Sequence, residues 1–274
     1  MEYAQKSARL PRSAEEKEKW RRVIIILEHC PLQSIQTDKG FELLSEKHRN
    51  YHTRHKTDPA EWRPDVVHQC LLHLLDSPLN RAGRLQIFLR TKKGVLIMVD
   101  PRLRVPRHVK VFEKMMVQLL FKMRVRSTSG YLTLLKEIKN PVTDHIPANT
   151  ELIRVEKDGD LINMFDFAQQ LSVRTNSIDG ATSGSSAAPT GVAGSAAFSS
   201  SKRQQLEKER KFKPFAFIVG GMSTGDVTVD YADKEKVQSI KLAEHGMSAA
   251  AALSLILHSF EECWLREDNE NEDI

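Results

Sequence analysis

Cysteine is scarce in this 274-residue chain: Cys30, Cys70 and Cys263 are the whole complement, and no CxxC pairing occurs. Each sits in or beside an apolar run, which excludes a disulfide framework and points to buried free thiols in a reducing compartment. Long apolar runs are also missing, since nowhere do the roughly 18 consecutive apolar residues of a membrane-spanning helix occur. The opening MEYAQKSARLPRSAEEKEKW has no apolar core of the kind a secretory leader carries. The expectation is a soluble intracellular protein with no membrane partner. Acid is scarce in one place: Arg102 to Arg126 holds eight Lys/Arg against the single acid Glu113, an excess larger than the net charge of +5 for the whole chain. The acidic run Glu267 to Asp273 offsets part of it, so the chain carries a local basic patch suited to a nucleic-acid backbone.

Two stretches lack the means to build a core. Residues 1–19 are polar and charged and read as a flexible arm. From Ser172 to Ser201, 22 of 30 residues are Ser, Gly, Ala or Thr, and the charged KRQQLEKERKFK follows. Such a composition buries too little to offset the entropy of ordering, so 172–211 reads as a disordered insertion. That leaves 20–171 and 212–266 as one folded domain, with 267–274 as an acidic tail. With 40% hydrophobic residues, this is enough for one core of about 200 residues or two smaller ones.

What is present reads as an α/β fold. Trp20 to Leu27 contains the β-branched run of a central strand, ended by Glu28 to Pro31. A helix is expected over Gly40–Arg49. Pro64 opens another, with Val67, Leu71, Leu74 and Leu75 on its buried face and Ser77-Pro78 at its end. Leu85–Leu89 and Val95–Val99 read as a hairpin. Val109–Met123 is a helix with Phe112, Met115, Met116, Leu119 and Leu120 as its stripe, the methionines serving as core. Leu132–Ile138 reads as a short helical piece, Lys139–Pro147 as a turn-rich connection and Glu151–Val155 as a strand. Phe215–Val219, Val227–Tyr231 and Val237–Leu242 read as strands, and Ser248 caps a closing helix over Ala249–Leu265.

Three places carry candidate chemistry. Phe215–Val219 is apolar throughout, as in a strand covered on both faces, and runs into Gly220, Gly221 and Gly225. Glycines after such a strand let the backbone approach a flat ligand, although they also suit an ordinary tight turn. The Lys and Ser/Thr of a phosphate-cradling loop are missing after Gly225, and Asp226 stands there instead, which favours a cationic ligand over a triphosphate. Arg63 and Asp65 flank a helix start, where a carboxylate is favoured and can hold the guanidinium in one pose, either as a simple cap or as part of a site. Pro101 and Pro106 frame Arg102, Arg104 and Arg107 in a stiff basic loop. His48, His52 and His55 have helical spacing, but no Cys or carboxylate completes a ligand set and Arg49, Arg54 and Lys56 repel a cation, so a basic loop facing solvent or RNA is expected there and no metal.

Taken in order, RPDVVHQCLLHLLDSPLNRAG, LQIFLRTKKGVLIMVDPRLRVPR, MVQLL, IKNPVTDHIP and FIVGGMSTGD closely resemble the "essential for mitotic growth" family. Its members are ribosome-biogenesis methyltransferases that methylate pseudouridine at N1 in small-subunit ribosomal RNA. The resemblance spans about Arg22 to Trp264 apart from the insertion. It implies a SPOUT-type α/β fold with a mostly parallel sheet flanked by helices and a C-terminal trefoil knot, S-adenosyl-L-methionine bound in that knot, and a homodimer. It further implies a nuclear, nucleolar protein working among small-subunit processome and ribosomal proteins. The family's RNA-contacting positions fall on Arg63, oriented by Asp65, and on Arg104 and Arg107. Another falls on Val111, so that contact is either lost or taken by Lys110. Asp65 and Arg63 are the expected catalytic pair, Asp65 as organiser or as proton acceptor. Cofactor positions fall on Val155, Gly220, Gly225 and the loop Leu242, Ala243, Glu244, His245, Gly246 and Met247, where relatives have a Tyr-Pro-Leu-like end. The rival readings are a SPOUT enzyme acting on another RNA position and an assembly factor whose RNA binding outweighs its methylation.

Overall fold

The computed structural model describes residues 20–38, 40–173, 213–233 and 236–272, with positions 11, 13 and 16. The expected arm and insertion lie almost wholly outside the described residues. The strands are β1 (Val23–Cys30), β2 (Ser34–Thr37), β3 (Gly40–Leu43), β4 (Leu85–Thr91), β5 (Leu96–Val99), β6 (Arg124–Arg126), β7 (Thr133–Ile138), β8 (Glu151–Leu161), β9 (Phe215–Gly220) and β10 (Val237–Lys241). The helices are α1 (Arg49–His55), α2 (Pro64–Asp76), α3 (Pro78–Arg81), α4 (Val109–Lys122), α5 (Met164–Val173) and α6 (Ala249–Glu272).

One sheet of eight strands runs β10-β8-β9-β1-β4-β5-β7-β6. The first five are parallel neighbours, and β4, β5, β7 and β6 continue the sheet antiparallel, so it is mostly parallel with an antiparallel flank. β1 sits near the middle because Val23 to Leu27 are all fully buried, and a strand sealed on both faces needs a parallel neighbour on each side. Ile25 faces Ile87 of β4 and Phe217 of β9. Each buried branched side chain contributes about 2 kcal/mol of transfer free energy. Val23, Ile25 and Leu27 join the core built by α2, α4, α5 and α6. Ile24 and Ile26 pack on the opposite face, which Val142 closes from a short 3-10 helix (Val142–His145) and Val227 and Tyr231 close from an irregular segment.

Three local expectations are corrected. The helix expected at Gly40–Arg49 is the strand β3, paired antiparallel with β2, and helix begins only at Arg49. Gly40 has φ +112, which suits a hairpin turn and not a helix interior. Leu132–Ile138 is the strand β7, because Leu135 lies opposite both Val99 and Val125 and fills the free edge of β5. Val227–Tyr231 alternates like a strand but joins no ladder, its apolar side chains packing flat on the sheet instead. The sequence reading also passed over α5, where the Ser172 hydroxyl donates to the Ala168 carbonyl and accepts from the Trp264 indole at 2.6 Å. Trp264 closes an aromatic cluster with Phe215 and Phe260 that locks α6 onto β9.

Candidate ligand cleft and basic flank

A cleft of about 220 Å³ opens beyond the carboxyl ends of β9 and β10. Three walls form it. The first is the glycine turn after β9. Gly221 is forced by packing: its N–H donates to the Glu28 carbonyl at 2.7 Å, and an added Cβ would stand 2.7 Å from the buried Cys30 Sγ. Gly225 is needed for another reason, its φ of +105, a conformation that side-chain-bearing residues rarely adopt. The far side of this segment is fastened to the ends of β1 and β4. His29 Nε2 meets the Thr228 hydroxyl at 2.8 Å, and Arg90 bonds Asp230 at 2.7 Å while lying 3.4 Å from the fully buried Glu28. Burial pushes the Glu28 carboxyl above its usual range, against the pull of Tyr231 and Arg90.

The second wall comes from β8. β10 pairs in register with Leu152 to Arg154 and resumes at Asp160, so residues 155–159 bulge out and bring Val155, Glu156 and Lys157 onto the cleft. Gly159 makes the return possible, because a Cβ there would lie 2.5 Å from the Ile240 backbone. The third wall is Leu242 to Met247 followed by the start of α6, where the Ser248 hydroxyl accepts from the Ala251 N–H and Ala249 and Ala252 keep the floor shallow. Arg154 ties the first two walls to β10, the strand that leads into the third: it donates to Glu156 at 2.8 Å, to the Val227 carbonyl at 3.2 Å and to the Ser239 hydroxyl at 2.9 Å. Lys157 and Asp226 add an exposed bridge of 3.3 Å between the first two walls.

All nine positions expected to hold the cofactor line this cleft. Outside the glycine turn, the sequence reading missed Glu156, Lys157, Val227, Lys241, Ala249 and Ala252, which line it too. Only Gly159, within a charged strand, hinted at the bulge that recruits the first two. With backbone from two turns, small apolar side chains, the carboxylates Glu156, Asp226 and Glu244 and the cations Lys157 and Lys241, the lining suits a flat aromatic group joined to a tail that carries both charges.

Arg63 and Asp65 stand at the start of α2. The guanidinium donates to both carboxylate oxygens, Nε at 2.9 Å and Nη2 at 2.7 Å, and this bond holds the Asp65 carboxyl below its usual range. The glycine turn reaches the same region, as the Ser223 hydroxyl donates to the Ala60 carbonyl at 2.6 Å. The basic loop is pinned by its carbonyls, Pro101 accepting from Asn80 at 3.0 Å and Pro106 accepting from His68 Nε2 of α2 at 2.7 Å. Arg104 is left exposed with no ion pair among the described residues, while Arg107 meets Asp76 at 2.5 Å. Lys110 and Val111 continue this surface onto α4.

The three histidines serve local structure. His52 is buried between the Ser45 carbonyl and the Thr57 hydroxyl, His48 meets Glu42 at 3.1 Å, and His55 lies against Tyr51. They sit on and just before α1, not in a loop.

Residues 25–261 match the family model described as "EMG1/NEP1 methyltransferase". The chain is 32% identical over 241 residues to "Ribosomal RNA small subunit methyltransferase nep-1" of Caenorhabditis elegans, covering 88% of this chain and 86% of that protein. It is 34% identical over 245 residues to "Ribosomal RNA small subunit methyltransferase NEP1" of Homo sapiens, covering 89% and 82%. Among solved structures, that of Archaeoglobus fulgidus Nep1 bound to S-adenosylhomocysteine superposes with a TM-score of 0.55 at 18% identity, over 88% of this chain and 98% of that one, and so shares the fold. A family model that spans nearly the whole sheet and relatives similar along almost their full length lead to one conclusion: this chain belongs to the EMG1/NEP1 methyltransferase family.

Proposed function

We propose that the protein is an S-adenosylmethionine-dependent methyltransferase that methylates N1 of a pseudouridine in small-subunit ribosomal RNA. The observation that carries this reading is the gathering of Val155, Gly220, Gly225 and Leu242 to Met247 around one cleft, with the Arg63 region tied to the same glycine turn through Ser223. The cleft residues fit the cofactor: backbone groups of the 242–247 loop suit a flat base, and the carboxylates suit cationic groups. When bound, S-adenosylmethionine supplies a methyl group on a positively charged sulfur, so the protein's remaining task is to place the target nitrogen. Loop 242–247 and the bulge at 155–157 hold and shield. Arg63, fixed by Asp65, and Arg104 and Arg107 hold the RNA. The proton of N1 leaves to solvent, because Asp65 has both oxygens engaged by Arg63 and its depressed pKa makes it a poor base. Its part is to orient. The His245-Gly246-Met247 end of the loop keeps backbone contacts available to a base whatever its side chains do. Small-subunit processome and ribosomal proteins as partners, a homodimer and a nucleolar site of action belong to the same reading. Matched RNA oligonucleotides with uridine or pseudouridine at one position, incubated with labelled cofactor, test it. Label is expected only in the pseudouridine RNA; label in both, or in a ribose, would assign the protein another target.

A further inference from the structure

Along α4, the surface that begins at Arg107 and Lys110 does not end with the basic loop. Val111, Lys114, Gln118, Phe121 and Lys122 follow at helical spacing, all exposed, and run about 15 Å from Val111 to Phe121. At the far end Phe121 is 67% exposed and Phe41 of β3 is 53% exposed, their rings 5.5 Å apart and tilted by 49°. Together with Lys114, Val117, Gln118 and Lys122 they line an open groove. Met123 and Arg124 lie exposed just beyond it. Two large rings left uncovered side by side ask for an occupant.

We propose that Phe41 and Phe121 form a stacking platform for single-stranded RNA flanking the target nucleotide, with Lys114, Lys122 and Arg124 holding its phosphates. This rests on the RNA-binding reading above and extends it to a second contact region. Charge decides against a second copy of the chain, and continuity with the basic loop favours RNA. Lys110, Lys114, Lys122, Arg124 and Arg126 form no ion pair among the described residues, and the acids beside the platform on α4 and β3, Glu113 and Glu42, are both engaged by Lys47, at 3.6 and 3.5 Å. A second copy would bring the same cations against these. Exposed aromatics among unpaired cations, continuous with the proposed RNA contacts, match the way single strands are held, by base stacking and phosphate neutralisation.

The test is fluorescence anisotropy on the full chain, with a small-subunit RNA hairpin that ends in a single-stranded extension and the same hairpin without it. Phe121→Ala is expected to weaken binding of the extended RNA by roughly five- to hundredfold, the range for losing one stacked base, and to leave the blunt hairpin unchanged. Phe121→Trp should keep the tighter binding, and Phe121→Leu, apolar but without a π-face, should lose it. Because Phe121 is exposed, these variants should melt like the wild type. Equal binding of extended RNA by wild type and Phe121→Leu overturns the platform, as does dissociation of an oligomer on sedimentation of Phe121→Ala, which would assign the face to a second copy. If the wild type binds both hairpins and Arg107→Ala weakens both while Phe121→Ala weakens neither, only the platform fails. If the wild type binds neither, the RNA reading fails with it.

Discussion

Asp65 shows how one side chain can matter through geometry more than through energy. Its bond to Arg63 is partly exposed, and such pairs contribute about 0–1 kcal/mol. Asp65→Ala should therefore shift the melting temperature by little while weakening hairpin binding severalfold, since Arg63 loses its fixed pose. Melting and anisotropy on the same preparation check this; equal losses in both would make Asp65 only a helix cap. Gly225 gives the complementary case. A β-branched residue is strained at φ +105, so Gly225→Val should abolish S-adenosylmethionine binding in calorimetry of a folded protein, and unchanged affinity would place the cofactor elsewhere. Both residues were legible in the sequence, one from its place at a helix start and one from its place after an apolar strand. What requires Gly221 and Gly159 was not legible, because the neighbours that leave no room for a side chain there, Cys30 and Ile240, are remote in sequence.

Among elements, legibility followed how completely a segment's burial is written into its own residues. β1 and β9 are apolar on both faces, and α2 and α4 carry full helical stripes, so all four could be read. β3 and β7 are short and take their strand form from the partners β2 and β5, which periodicity over a few residues cannot reveal. The bulge in β8 was unreadable for the same reason, since it is set by where β10 resumes pairing. The bulge makes Arg154 the residue to test at this scale. Its hydrogen bonds reach β8, β10 and the glycine segment, so Arg154→Met should keep the fold, as its stem still packs, but lower cofactor affinity by about tenfold or more through loss of charge-assisted bonds of roughly 1.5–3 kcal/mol each. Calorimetry with S-adenosylhomocysteine measures it, and an affinity equal to wild type would mean that the walls hold without this link.

Over the whole molecule, α2, α4, α5 and α6 stack on one face of the sheet, the cleft opens at the carboxyl ends of its parallel half, and the basic residues of the 102–107 loop and α4 lie toward its antiparallel flank, where α4 packs on β6 and β7. The knotted path that the family implies concerns the order in which chain segments thread, which no local pattern encodes. Charge placement is a different matter, because the eight cations of 102–126 were visible in the sequence, although their intramolecular partners were not. Arg107 is held by Asp76, so RNA must compete with a carboxylate for it. Two opposite outcomes are therefore expected. Arg107→Ala should weaken RNA binding and lower the slope of log affinity against log salt by about 0.7–0.9, one phosphate contact's worth, while leaving cofactor affinity alone. Asp76→Asn should strengthen RNA binding, because it keeps the side chain's shape and releases the guanidinium, and its effect should vanish in the Arg107→Ala background. Anisotropy titrations of a small-subunit hairpin at several salt concentrations, across the four proteins of that cycle, measure both. Superimposable curves for wild type and Arg107→Ala would take the loop out of the RNA surface, and an Asp76→Asn gain that survives without Arg107 would show that the carboxylate acts by bulk repulsion of phosphate and not by holding that one arginine.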